Sequence, residues 1–303
     1  ARRLELVTDV PAHFWNNLEA RYRDRLAREQ EARQLEEDLD WLNESRSAIT
    51  ELKKRGVVTA KRNRPAQLRQ ALGFFGVSSV KAFKAYWQGR EIAARKTEAF
   101  ESHEVATAAW IRLGELQAAD IACQPYDESA FLKTIRRIRG LTSEAPADFL
   151  PKMKRWCAES GVALCLEPGM PGAPWYGASR WLTPRKAMIL LSLRGKWADQ
   201  FWFSFFHEAG HLLYNSKKTI NLSQSYADDP QEERANRFAL NTLIPPEHQD
   251  EIPTLGSREA VRAFARRLSI HPAIVVGQFQ RVTEKWGWMN NLRTKYERDL
   301  SGG

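Results

Sequence analysis

Residues 201–215 read FWFSFFHEAGHLLYN. The chain has 303 residues and six histidines, and two of them, His207 and His211, stand four apart in this apolar run, with Glu208 after the first. On an α-helix, positions four apart differ by about 40° in azimuth and about 6 Å along the axis, so both imidazoles project from one face. Two such rings can hold one tetrahedral ion at about 2.0–2.1 Å, and a carboxylate one position round can reach a water beside it. The competing reading is a buried helix whose histidines make ordinary hydrogen bonds. The residues downstream of the motif decide between the two.

An ion held this way needs a third ligand and an open fourth position. Among the carboxylates between residues 215 and 260, only Glu232 and Glu233 fall within an amphipathic helical stretch, PQEERANRFALNTLIPP. Pro230 suits its first turn, and Pro245-Pro246 stop it. Glu232 shares a face with Ala235, Asn236 and Ala239, whose small alanines allow close approach to the motif helix. Glu233 points instead toward Arg237, an exposed pair four apart. Glu232 is therefore the expected third ligand, with Glu233 as the alternative, and Asn236 is expected to hydrogen-bond a ligand histidine from behind. The constellation is that of metallopeptidases with two imidazole ligands and a carboxylate general base.

Working outward, TSEAPADFLPKMKRWCAESG reads as a helix ending at Gly161. Short apolar runs come next at VALCLEP (162–168), WYGASRWL (175–182) and AMILLSL (187–193), separated by Pro- and Gly-rich turns, the pattern of a small sheet. Either of the last two runs can be the sheet edge that holds an extended substrate. Trp197 to Tyr214 forms the motif helix, and Trp175, Trp181, Trp197 and Trp202 are expected to pack around it. REAVRAFARRL and AIVVGQFQRV, joined through His271, read as a pair of helices. The expected class is α+β: a three-stranded sheet plus the HExxH helix and a C-terminal helical pair, over residues 141–303. Residues 1–140 read as helical throughout. In the first long segment Phe14, Leu18, Tyr22, Leu26, Leu35, Leu39 and Leu42 recur at helical spacings.

Composition narrows the possibilities. No apolar run approaches the roughly 20 residues of a membrane span. No apolar leader region is visible at the start, and Cys123, Cys157 and Cys165 form neither a disulfide framework nor a CxxC site, as in a reducing, cytoplasmic setting. The net charge of +9 is local, since residues 51–100 hold twelve basic against three acidic residues. Lys61, Arg62, Arg64 and Arg69 in that segment are candidate nucleic-acid contacts.

FSFFHEAGHLLYN followed by EERANRFALNTLIPP resembles the ImmA/IrrE family of bacterial metallopeptidase-like regulators. These are gluzincin-type proteins whose HExxH helix is followed by a helix of the form E-x-x-A-N/D-x-F/Y-A ending in proline. That form falls here on Glu232, Ala235, Asn236, Phe238 and Ala239, and the resemblance covers roughly residues 142–290. LELVTDVPAHFWNNLEARYRDRLAR resembles the end of HigA-type antitoxins, where an Xre helix-turn-helix gives way to a long helix; the recognition part would precede Ala1. The resemblance implies a zinc-dependent endopeptidase, with manganese as the other candidate metal. It would use Glu208 as base and cleave an Xre-type repressor to relieve transcriptional repression under stress. It also implies an alternative, a DNA-binding antitoxin or regulator whose peptidase-like domain binds metal or partners without proteolysis. The partners expected are a protein substrate and possibly DNA, with no membrane; an oligomer is compatible. Tyr176, Tyr214, Tyr226, His248 and Arg180 are open candidates for the donor to the oxyanion.

Overall fold

Pro11, with its ring fixing φ near the helical value, opens the first long element. The computed structural model describes residues 1–88, 103–192, 194, 197–223 and 230–296. They fall into two compact units, Ala1–Gln88 and Gly89–Gly303.

The first unit is helical: α1 (Arg2–Thr8), α2 (Ala12–Glu37), α3 (Trp41–Glu44), α4 (Arg46–Lys54), α5 (Arg64–Phe75) and α6 (Val80–Gln88). Its core is aromatic, with Phe83 set edge-on to Trp41 at 5.4 Å and to Phe75 at 4.8 Å, above the fully buried Leu52 and Leu68. Asn63 caps α5 by accepting from the Ala66 N–H at 2.9 Å. The apolar repeat of the first long segment does produce a helix. Yet Phe14, Leu18, Tyr22 and Leu26 stay exposed, and only Leu35 of α2 is buried. Periodicity aligned these side chains on one face, but within the unit α2 packs mainly on α1 and α5, and its buried contact lies near its C-terminal end.

In the second unit α7 (Glu104–Asp120), α8 (Glu128–Arg139) and α9 (Pro146–Glu159) precede a sheet of β1 (Val162–Leu166), β2 (Gly177–Thr183) and β3 (Lys186–Leu191). The motif helix α10 (Ala198–Tyr214), β4 (Asn221–Ser223), α11 (Pro230–Leu243), α12 (Arg258–Arg267) and α13 (Pro272–Thr283) complete it. The fold is α+β, with helices around one mixed sheet. The sheet order is β1-β3-β2-β4, so the three expected strands are joined by a fourth. Asn221–Ser223 pairs antiparallel with Gly177–Ser179. Three residues reading NLS carry no alternating apolar signal, which is why the segment reads as loop. AMILLSL is interior, between β1 and β2, and the first half of β2 is covered by β4, so the outer strand on that side is β4.

α10 is apolar nearly all round, the composition of a helix enclosed by other elements. It packs on the sheet and on α11 and α13, with Trp202, Phe205 and Phe206 fully buried. Trp175 and Trp181 are buried as well, whereas Trp197 is partly open and lies under the cationic groups of Arg293 and Lys295. Gly210 lets α11 come close: a Cβ there would stand 3.2 Å from the Ala235 Cα. The C-terminal segment straps the start of α10 through a bidentate Arg293–Asp199 ion pair (2.8 and 3.1 Å), and the Trp202 indole donates to the Tyr296 hydroxyl at 3.1 Å. Among the described residues no helix is long and apolar enough to cross a membrane.

Candidate metal centre

His207 and His211 leave the same face of α10, one turn apart, and both are buried. Their Nε2 atoms stand 2.9 Å apart. Glu232, in the first turn of α11, brings Oε2 to 3.2 Å from His207 Nε2 and Oε1 to 3.0 Å from His211 Nε2. A tetrahedral ion with ligands at about 2.0–2.1 Å holds them about 3.3–3.4 Å apart. The observed separations lie a few tenths of an ångström below that. Among the described residues this is the one group of three His, Cys, Asp or Glu side chains whose ligand atoms converge in this way, all within 4.8 Å of one another. Two imidazole lone pairs and a carboxylate facing each other in a buried site repel unless a cation, either a proton or a metal, lies between them. Burial pushes the Glu232 carboxyl up, but hydrogen bonds from both histidines and their charge outweigh it and draw its pKa down to about 2. Glu233 is exposed and paired with Arg237.

Glu208 is completely buried beneath the start of β2. The room for its carboxylate is provided by Gly177, where a Cβ would come within 2.5 Å of Oε1. Ser223 of β4 donates a short hydrogen bond to Oε1, and the Ser179 hydroxyl of β2 lies near the carboxylate. Among the described residues Oε2 has no hydrogen-bond partner although it is buried. Burial raises the Glu208 pKa; the two histidines and the two serine hydroxyls pull the other way without cancelling it. A carboxylate with elevated proton affinity, one oxygen anchored and one unengaged, has the equipment of a general base.

Behind the ligands, the amide that reaches a histidine is that of Asn215, whose Nδ2 is 2.9 Å from His211 Nδ1. Asn236 lines the adjoining cavity next to His207. Asn215, Asn221, Ser179 and Ser223 are the neighbours that sequence reasoning missed. Asn215 was open to the same spacing argument, being four residues after His211. The other three depend on the pairing of β2 with β4, for which no local signal exists.

A cavity of about 280 Å³ opens beside His207 and Ser223 and runs between α10 and α13. Phe203, Ile274 and Trp286 form apolar walls, and Gln278 brings a buried amide whose Oε1 has no partner among the described residues. Of the candidate oxyanion donors, Tyr176 lines this cavity. Arg180 is engaged with Glu115, His248 with Glu251, and Tyr214 packs on Phe238; Tyr226 lies outside the described residues. In the first unit Lys61, Arg62, Arg64 and Arg69 are all exposed, with Arg64 bonded to the Leu39 carbonyl and Arg69 paired with Glu31. Arg90, Arg95 and Lys96 of the basic segment lie outside the described residues.

Comparison with known proteins adds one match. Residues 157–275, from the end of α9 to the first turns of α13, match the family model Peptidase_M78, described as the IrrE N-terminal-like domain. No curated protein matches the chain.

Proposed function

We propose that the chain, whose residues 157–275 match the IrrE N-terminal-like domain model, is a gluzincin-type metallo-endopeptidase that acts as a regulator by cleaving a repressor-type protein. The observation that carries this reading is the convergence of His207, His211 and Glu232 on one point beside the unengaged Oε2 of Glu208. The donor set fits zinc, with manganese as the other candidate: two imidazole nitrogens and one carboxylate leave a position for substrate. When bound, the metal supplies Lewis-acid polarisation of the scissile carbonyl and of the attacking water.

The remaining work falls to the chain's own side chains. Glu208 takes the water's proton on Oε2 and later delivers it to the leaving amine. Ser223 holds Oε1, so the acceptor oxygen keeps its direction. The cavity between α10 and α13 takes a substrate side chain. Its lining by Phe203 and Trp286 favours a large apolar or aromatic one. In this reading residues 141–303 carry the hydrolytic chemistry, residues 1–140 the regulatory part, and an Xre-type repressor is the substrate in a cytoplasmic stress response.

A second reading is favoured by the exposed Lys61, Arg62, Arg64 and Arg69. Here the chain is a HigA-like, DNA-binding regulator of a toxin–antitoxin type whose metal site serves partners rather than hydrolysis. One experiment separates the two. The protein is incubated with the repressor encoded beside it, with zinc and with chelator, alongside Glu208→Gln. Metal-dependent cleavage that Glu208→Gln abolishes supports the peptidase. A chain that binds zinc and operator DNA but leaves every repressor intact supports the second reading.

A further inference from the structure

Gln200 on α10 and Gln278 on α13 both line the cavity that opens beside His207. The two helices meet at Gly277, where a Cβ would stand 2.7 Å from Asp199 Oδ2, so each glutamine directly follows a residue of that contact. Gln278 is only 6% exposed, and the Oε1 atoms of both glutamines are buried with no hydrogen-bond partner among the described residues. Buried polar atoms in folded chains are nearly always paired. Two orphaned amides at one cavity therefore mark a place where a ligand can supply the missing hydrogen bonds.

The rest of the lining narrows what that ligand is. Phe203, Ile274 and Trp286 are apolar, and about 280 Å³ is room for one large side chain, at the small end of ligand-binding clefts. Asp199 is the one carboxylate among the described residues of the lining, and the Arg293 guanidinium holds both its oxygens, at 3.1 and 2.8 Å. Arg281 lines the cavity too, its guanidinium 5.7 Å from the centre of the Phe203 ring. An incoming lysine or arginine thus meets like charge and no spare carboxylate. An ionised glutamate or aspartate has no hydrogen to give an amide oxygen. Phenylalanine or leucine fills the space and leaves both amides unpaired, and a tryptophan indole only donates. Tyrosine suits both halves of the lining. Its ring matches the apolar walls, and its hydroxyl both donates and accepts, so it completes a glutamine amide whichever end is presented.

We propose that this cavity is a specificity pocket for a tyrosine side chain of the protein substrate, with Gln278 and Gln200 as the residues that read its hydroxyl. The inference rests on the peptidase reading and adds to it which residue stands next to the cleaved bond, since His207 and Ser223 share the cavity. The discrimination is between tyrosine and phenylalanine, two side chains that differ by the one group the amides lack.

The test uses the full chain stripped of metal, so that binding is read apart from hydrolysis. The probes are N-acetyltyrosinamide and N-acetylphenylalaninamide, titrated against the side-chain amide NMR signals of ¹⁵N-glutamine-labelled protein. Gln278→Leu and Gln200→Leu identify the two signals by their loss. N-acetyltyrosinamide should shift both signals and bind about fivefold to tenfold tighter than N-acetylphenylalaninamide, the worth of one hydrogen bond to a group otherwise unpaired. Gln278→Leu keeps the side chain's bulk, removes the amide and should narrow that gap to about twofold or less. Gln200→Leu should narrow it as well, a comparison that stands even if Gln278→Leu fails to fold. In the zinc-loaded chain, kcat/KM for peptides with tyrosine beside the cleaved bond should exceed that of their phenylalanine counterparts by the same factor. Equal binding of the two probes, as expected of amides already held by water, overturns the pocket, as does no binding of either. A gap that survives both leucine variants overturns it too. A zinc-loaded chain that cleaves no peptide while N-acetyltyrosinamide still binds with the expected preference overturns the peptidase reading and leaves the pocket standing.

Discussion

Gly177→Ala adds a single methyl group at the first residue of β2, where it would lie 2.5 Å from Glu208 Oε1, 2.8 Å from Cγ and 3.0 Å from Cδ. Ordinary contacts of a methyl carbon begin about 1 Å further out. Alanine is at home in extended backbone, so the substitution acts through this collision and not through strain at residue 177. Glu208 is fully buried between α10 and the strands and has no solvent side to swing toward. Its carboxylate must therefore retreat by about 1 Å or the strand must shift, and overpacking of this kind costs about 1–3 kcal/mol of stability. A displacement of about 1 Å of a reacting group lowers turnover about 100-fold. The three atoms nearest to the methyl all belong to Glu208 and none to a metal ligand. Zinc affinity by chelator competition should stay within about twofold of the unaltered chain, because no ligand is moved. The assay pairs that measurement with kcat/KM on a fluorogenic peptide library and with a thermal unfolding curve. Full turnover in Gly177→Ala would refute the role given to Glu208, and loss of zinc without loss of fold would refute the separation of base from ligands.

The remaining predictions concern the ligand, the strap and one helix cap. Glu232→Gln should weaken zinc binding by at least 10-fold. Glu233→Gln should leave it unchanged and cost under about 0.5 kcal/mol of stability, since an exposed pair four apart is worth little; equal loss in both variants would contradict the ligand assignment. Arg293→Ala strands the Asp199 carboxylate in a largely buried position and should destabilise the chain by about 3 kcal/mol in urea unfolding, with Asp199→Asn in the same chain recovering part of the loss. His271 caps α13 by accepting the Ala273 N–H on Nδ1 at 3.0 Å, and burial lowers its pKa from 6.5. The unfolded chain thus binds this proton more readily, so the cap's contribution is complete above about pH 6.5 and is lost as pH falls through the folded value. His271→Asn keeps a capping oxygen without a titrating group, so urea midpoints from about pH 7.5 down to about pH 5 should fall less steeply than in the unaltered chain; identical slopes would exclude His271 as the source.

Much of the architecture was legible because it rests on local rules. Apolar runs bounded by Pro and Gly marked β1, β2 and β3, and Pro230 and Pro245 framed α11. The four-residue spacing of His207 and His211 fixed their shared face before any tertiary information, and the alanines after Glu232 indicated which side of α11 meets α10. What escaped reading depends on register or on cover. β4 has three residues and no pattern of its own, yet it supplies Asn221 and Ser223. Gly177 looks like any strand glycine until Glu208 is found beneath it. In α2 the repeat of Phe14, Leu18, Tyr22 and Leu26 identified an apolar face, but periodicity cannot say whether anything covers that face, and within its unit nothing does.

The close passage of Gly210 against Ala235 has a consequence for which ions the centre admits. Gly210 meets the Ala235 backbone and the Phe238 side chain at about the same close distance, so the gap between the histidine pair and Glu232 is set largely by how tightly the two helices pack there. A calcium-sized ion, wanting six to eight oxygens at about 2.3–2.6 Å, would have to wedge the two helices apart along their whole line of contact. The scaffold thereby acts as a gauge, excluding large, oxygen-seeking cations by stiffness before any difference in bond strength is consulted.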